Sequence, residues 1–256
     1  MVEIDHRPSS GIVNATACIV KGTHLHRTRN RNRIATAPCQ WPPRSSAWKG
    51  TRMPVTHRSL DPGQLDRKQR YLLMVASVVP RPIAWTSTVS SAGISNLAPF
   101  SFFGGVSSDP PTVVLSIGRR KDGSHKDTAR NLLDGGEAVI HICERHDGPS
   151  MVASSDGLAP DESEIELLDL ATVDSDVVSP PRLRDAAIAL ESTRIHHREV
   201  GNGPVDLFLL EVVRFHLRED LLVDGLPDAA EMKALGRLGG TLYCDTSAPF
   251  SIEGLD

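Results

Sequence analysis

Between Pro80 and Gly118 the chain reads PRPIAWTSTVSSAGISNLAPFSFFGGVSSDPPTVVLSIG, and no other stretch restricts the fold as much. Ile83, Trp85, Ser87 and Val89 alternate with Ala84, Thr86 and Thr88, the period of two that belongs to a strand with two differently used faces. Ser90-Ser91-Ala92-Gly93 supplies the turn. The return arm is expected to break at Pro99, to pass through an aromatic loop containing Gly104-Gly105, and to re-enter a buried strand only after the stop signal Asp109-Pro110-Pro111. A loop this long and this apolar is expected to wrap something.

The remaining chain supplies more hairpins than helices. Asp61-Pro62 has the form of a helix start, with Tyr71, Leu72, Met74 and Val75 as an apolar face and Pro80 as the stop. Asp127 or Thr128 is expected to cap a short helix over 129–133, closed by Gly135-Gly136. Glu137 to Cys143 alternates as a strand. Residues 150–173 read as short helices and loops. Two long strand patterns, 186–200 and 205–217, are joined by Gly201-Asn202-Gly203-Pro204, a strong hairpin signal. Asp228 is expected to cap a last helix over 229–235, ended by Gly236. Six or seven strands in hairpins with a few short helices argue for an antiparallel barrel and against a βαβ sheet. No GxGxxG follows a strand, so no fixed dinucleotide site is implied.

Charge divides the chain at residue 52. Residues 1–52 carry 9 Lys/Arg against 2 acidic residues, and the remainder carries 19 against 30. The basic segment has no sustained period and contains Arg29-Asn30-Arg31-Asn32-Arg33, so 1–52 is expected to be a disordered or non-native extension. Met53 is then expected to be the natural start, with 53–256 as the domain, and His24 and His26 read as solvated. An acidic body offers no footprint for nucleic acid or an anionic membrane. No apolar run is long enough for a spanning helix. Cys18, Cys39, Cys143 and Cys244 form no CxxC pair, which speaks against a zinc site and for a reducing, cytoplasmic location.

Acid-base and nucleophilic constellations do not stand out: there is no GxSxG, HExxH or SxxK. His196-His197 point to opposite faces of a strand and read as surface residues, and His141 with Cys143 reads as a buried structural pair. Neither catalytic side chains nor metal ligands are assigned. A different chemistry is better served. Ser124, Lys126 and Thr128 put hydroxyls, an ammonium and helix N-terminal N–H groups in one loop, which suits a phosphate. Thr86, Ser87, Thr88 and Asn96 add hydrogen-bonding groups on the hairpin.

PRPIAWTST, NLAPFSFF, VSSDPPTVVLSI and KDT, in this order and at these spacings, resemble the flavin reductase-like family with the FMN-binding split-barrel fold, related to flavoredoxin. The resemblance runs from about Tyr71 to Tyr243 and takes in GRLGGTLY. It implies a mainly β, antiparallel Greek-key split barrel that forms a homodimer, with FMN in a groove at or near the subunit interface. Carried over by position, it implies that the isoalloxazine lies against Trp85, Thr86, Ser87 and Thr88 and the backbone of Asn96, Leu97 and Ala98, with Ser101 near the cofactor. Lys126, Asp127 and Thr128 would make the phosphate pocket, and Tyr243 would close over the site. One position departs from the pattern: many relatives have Asn where Gly104 stands, so a side-chain hydrogen bond is missing and a more mobile loop is expected. The implied activity is electron transfer from NADH or NADPH through FMN to free flavin, a partner oxygenase or another acceptor. The other reading is an FMN-binding electron carrier without NAD(P)H turnover. In either case the cofactors carry the redox chemistry and the protein stacks and orients them, with backbone N–H groups along 86–98 as donors to the ring; no proton shuttle is obligatory.

Overall fold

The computed structural model describes residues 55–252. The expectations for 1–52, including His24, His26, Cys18, Cys39 and the start at Met53, lie outside the described residues. The described chain runs α1 (Arg67–Ser77), β1 (Arg81–Pro82), β2 (Ala84–Val89), β3 (Ser95–Phe100), β4 (Phe103–Ser108), β5 (Pro111–Gly118), α2 (Asp127–Asp134), β6 (Glu137–Ile142), α3 (Gly148–Ala153) and α4 (Glu164–Leu167). It continues with β7 (Thr172–Val173), β8 (Arg182–Leu183), β9 (Ile188–Val200), β10 (Val205–Leu217), β11 (Leu222–Val223), β12 (Leu226–Pro227), α5 (Ala229–Met232), β13 (Leu235–Gly239) and β14 (Leu242–Asp245).

Seven strands form one antiparallel sheet in the order β3-β2-β6-β9-β10-β5-β4. The Ser116 N–H donates to the Phe102 carbonyl at 2.9 Å, which brings the chain after β3 back onto β5 and curls the sheet into the expected split barrel. The long hairpin of β9 and β10 turns at Gly201, whose φ of 86° is left-handed. Register shifts between Leu209 and Leu210 and between Val212 and Arg214 bend it around the barrel.

Alternation along the strands produces two cores. One face of β2, β5, β6 and β10 contributes Ala84, Leu115, Ile117, Ile140, Phe208 and Leu210 to the barrel interior, where α2 adds Ala129 and Leu132. The opposite face contributes Ile83, Trp85 and Leu97, covered by Met151 of α3 and Ile165 of α4.

Three expectations change. The expected aromatic loop is an edge strand, β4, paired with β5 from Phe103 opposite Leu115 to Ser108 opposite Pro111. Pro99 does not break β3, because β3 is the other edge strand and Leu97, two residues before it, already directs its N–H away from β2 onto Glu164. A proline in phase with Leu97 therefore costs no ladder bond. Gly104 lies within β4 opposite Val114, so it is held by a ladder rather than in a mobile loop, and open space surrounds the position its Cβ would take.

The helix ends also differ. Asp61 caps only a single 3-10 turn, whereas Asp66 and Gln69 form a reciprocal capping box that starts α1. α1 buries only Val75 and leaves Tyr71, Leu72, Leu73 and Met74 exposed. Five consecutive apolar residues run around the whole helix, so one packed face cannot cover them all. Asp228 caps α5 as expected, but Lys233 turns left-handed and the helix stops at Met232. Residues from Leu235 onward are taken by pairing with β14 and β1, so sheet pairing overrides the expected last turn of helix.

Candidate functional site

α2 is anchored by a buried polar network. The Asn96 side-chain amide donates to Thr128 Oγ1 at 2.9 Å and to Thr88 Oγ1 at 3.3 Å, and Asn131 donates to Thr88 Oγ1 at 3.1 Å. Thr88, Asn96, Thr128 and Asn131 are all buried, so these bonds fix the start of α2 against β2 and β3. Three residues expected at the site thus meet each other.

Lys126 is the N-cap of α2, and no side chain caps the first turn, contrary to the expectation for Asp127 or Thr128. The N–H groups of that turn are left without side-chain acceptors. Asp127 instead binds Arg120 and Arg130 through its two carboxylate oxygens. The Lys126 ammonium lies 5.7 Å over the Phe100 ring, and desolvation with the neighbouring Arg120 charge lowers its pKa. Ser124 gives its hydroxyl to Asp122, so it is committed within its own turn. Three cations against one carboxylate at an uncapped helix start fit a phosphate monoester. Arg120 and Arg130 were not singled out in the sequence; the signal was Arg130 three residues after Asp127, on the same helix face.

From this end a strip follows β3. Ala98 and Pro99 are half-buried, Phe100 underlies Lys126, and Ser101 is half-buried at the far end. Asn96 to Ser101 spans about 16 Å of extended chain. Beside Ser101 lies Arg81, which is 4% exposed and donates through Nε to Ser101 Oγ at 3.3 Å. Sequence reasoning passed over Arg81, although a charged residue between two prolines at the head of a buried strand was a readable anomaly.

The other expected residues serve the strip from behind. The Trp85 indole is buried in the second core and donates to Ser154 Oγ at 2.8 Å. Ser87 donates to the Pro181 carbonyl at 2.6 Å, and Thr86 to the Ala84 carbonyl at 3.3 Å. Residues 84–87 of β2 are paired on both edges, with β3 and with β6, so their backbone groups belong to the sheet and the expected free donors are not available there. The Leu97 N–H donates to Glu164 Oε2 at 2.9 Å, and burial raises the pKa of that carboxyl although the bond itself favours its charged form.

Tyr243 stands apart from the Lys126 cluster. Its ring lies 5.4 Å under the Arg237 guanidinium and packs against the second core. It lines a cleft of about 780 Å³ with Arg145, Met151, Leu235, Cys244 and Asp245. A depression beside α2, lined by Asn96, Asp127, Arg130 and Glu164 among others, encloses only about 10 Å³, room for a water.

His141, His125 and His197 have structural partners, while His196 is exposed as expected. His141 is fully buried with Nδ1 2.9 Å from the Trp85 carbonyl and Nε2 accepting the Leu183 N–H at 3.0 Å, and burial lowers its pKa to about 4. Burial pushes the Cys143 thiol far up, so it is no nucleophile. His197 is not simply a surface residue: together with His125 and Arg119 it binds the buried Asp206. Burial works against that carboxylate's charge, but the three partners hold its pKa below the ordinary range.

A family model described as "Flavin reductase like domain" matches residues 75–230. An uncharacterized protein of Halalkalibacterium halodurans is 39% identical over 198 residues, covering 76% of this chain and 95% of that one. The uncharacterized protein YwrF of Bacillus subtilis is 37% identical, covering 74% and 95%. Among solved structures, nitrilotriacetate monooxygenase component B from Bacillus cereus superposes with a TM-score of 0.74 at 33% identity, covering 78% of this chain and all of that one. The 2-nitrobenzoate 2-nitroreductase NbaA of Pseudomonas fluorescens gives 0.69 at 27% identity, covering 77% and 98%.

Proposed function

Because the chain belongs to the flavin reductase-like family, we propose that it is an FMN-binding oxidoreductase that takes electrons from NADH or NADPH and passes them to free flavin, a partner oxygenase or another small acceptor. The observation that carries this reading is the uncapped, cationic start of α2 set against the strip along β3. The similarity to component B of a monooxygenase supports an oxygenase partner, and the similarity to a 2-nitrobenzoate nitroreductase supports a small aromatic acceptor. Among the described residues no helix is long and apolar enough to cross a membrane.

FMN, when bound, supplies the redox chemistry. The chain's own residues bind and orient it. Lys126, Arg120 and the first-turn N–H groups of α2 hold the phosphate, while Asp127 keeps Arg120 and Arg130 in place. Thr88, Asn96 and Thr128 fix that pocket to the sheet. Ala98 and Phe100 form an apolar floor and Ser101 offers a hydroxyl at the ring end. Trp85, Ser87 and Leu97 support the floor from the opposite face of the sheet and Thr86 stands beside Ala98, while Tyr243, which lines the separate cleft with Arg145 and Met151, would reach the ring only by moving from its place under Arg237.

A homodimer completes the groove in this reading. Tyr71, Leu72, Leu73, Met74, Val78 and Val79 are exposed on and after α1, and Arg81 places Phe102 beside the end of that helix. Such an apolar patch at the rim of the strip suits a second copy that buries both. The test is anaerobic addition of NADH and NADPH to the protein with FMN. Bleaching of the flavin absorbance is expected with at least one of them. A yellow protein that leaves both nucleotides unoxidised above the free-flavin background would replace this reading with an electron carrier.

A further inference from the structure

Arg81 is the most unusual ionisable group in the described residues outside the phosphate pocket. It is 4% exposed, yet its guanidinium has no carboxylate partner among the described residues. A buried cation normally has one. Here the two hydrogens of Nη1 are shared among three carbonyls, those of Val75 at 2.5 Å, Val78 at 2.8 Å and Leu238 at 3.2 Å. Val75 and Val78 are at the C-terminal end of α1, where the helix dipole favours a cation. Three carbonyls satisfy hydrogen bonds without neutralising the charge. One arm of the fork remains directed at the site: Nε donates to Ser101 Oγ at 3.3 Å.

That last bond determines what Ser101 can do. A hydroxyl has one hydrogen and two lone pairs. Because Ser101 Oγ accepts from the guanidinium, its own hydrogen is free to be donated elsewhere, and the adjacent positive charge makes the hydroxyl a stronger donor. The arrangement is stiff, since the same guanidinium joins α1, β13 and the end of β3.

We propose that Arg81 is a positioning residue that polarises Ser101, so that the Ser101 hydroxyl donates to the flavin ring and stabilises its reduced, more electron-rich state over the oxidised one. This rests on the reading that FMN lies along β3 with its ring end at Ser101. The role goes beyond holding the cofactor: Arg81 and Ser101 set its reduction potential as a coupled pair.

The experiment is a reductive titration of FMN-loaded protein against a reference dye, comparing the native chain with Arg81→Met, Arg81→Lys, Ser101→Ala and the Arg81→Met/Ser101→Ala double variant. Ser101→Ala does not threaten the anchoring of α1, so it keeps the test valid should Arg81→Met fail to fold. Ser101→Ala and Arg81→Met are each expected to weaken the preference for reduced over oxidised flavin about tenfold, a midpoint about 30 mV lower for the two-electron couple. Arg81→Lys should recover part of the shift, and the double variant should fall no further than the larger single change. Unchanged midpoints in flavin-loaded Ser101→Ala overturn the proposal, and additive shifts overturn the coupling. Failure of the native chain to take up FMN at all is a separate result, which removes the functional reading and this proposal with it.

Discussion

His141 offers a prediction whose size follows from its surroundings. The ring donates from Nδ1 to the Trp85 carbonyl and accepts the Leu183 N–H at Nε2, so the neutral form is hydrogen-bonded on both sides. Protonation would put a second N–H against that of Leu183, in a fully buried site, and desolvation lowers the pKa from 6.5 to about 4. In the unfolded chain the imidazole binds its proton from about pH 6.5 downward, while in the folded chain it stays neutral until about pH 4. The unfolded state therefore holds more protons in that window, and stability must fall as pH falls through it. The full span corresponds to about 3 kcal/mol and is flat above pH 6.5. Urea unfolding of the native chain and of His141→Gln at intervals from pH 7.5 to 4.5 measures this directly. At pH 7.5 the variant should be less stable by about 1 kcal/mol, for the lost bond to Trp85. By pH 4.5 the order should have reversed or the gap closed, because the variant has no group at that position to protonate. Asp206, Glu191 and Glu164 titrate in both proteins and cancel in the difference. Parallel stability curves across the window would refute the assignment of a locked neutral tautomer.

Lys126→Ala should weaken FMN binding by about 1–3 kcal/mol, the loss of a charged hydrogen bond, as read by fluorescence titration; unchanged affinity would place the phosphate elsewhere. Asn96→Ala leaves the buried Thr88 and Thr128 hydroxyls short of a partner and should cost about 1–3 kcal/mol of stability in denaturant unfolding, together with weaker FMN binding. Met74→Glu puts a charge into the exposed apolar face of α1 and should convert a dimer to monomer in sedimentation velocity, whereas a monomeric native chain would overturn the dimer.

The sequence carried the fold wherever a strand had two different faces. Ile83 to Val89 alternates because one face meets the barrel interior and the other meets Met151 and Ile165, and the Gly201 turn sets the register of the β9–β10 hairpin. It misled where local chemistry was overruled by position in the sheet. Pro99 and Gly104-Gly105 look like loop residues, yet they lie on the two edge strands, where an absent N–H or side chain costs little. Whether a strand is an edge depends on pairing order, which no local pattern states. For the site, Lys126, Thr128 and Asn96 were legible as polar residues at a helix start and on a strand, and they do come together. Arg81 between two prolines was a readable anomaly, but its role was not legible, because its partners Val75, Val78, Ser101 and Leu238 contribute backbone carbonyls and a hydroxyl that join only after α1, β3 and the C-terminal hairpin have packed.

The central claim is that the cationic start of α2 and the strip along β3 together hold FMN for electron transfer from a pyridine nucleotide. Its most direct test is the visible spectrum of the purified chain with equimolar FMN, followed anaerobically as NADH and then NADPH is added. The account predicts a perturbed flavin spectrum on binding, and its bleaching by at least one nucleotide at a rate that drops in Lys126→Ala at limiting FMN. A spectrum identical to that of free FMN, with neither nucleotide oxidised, would contradict it.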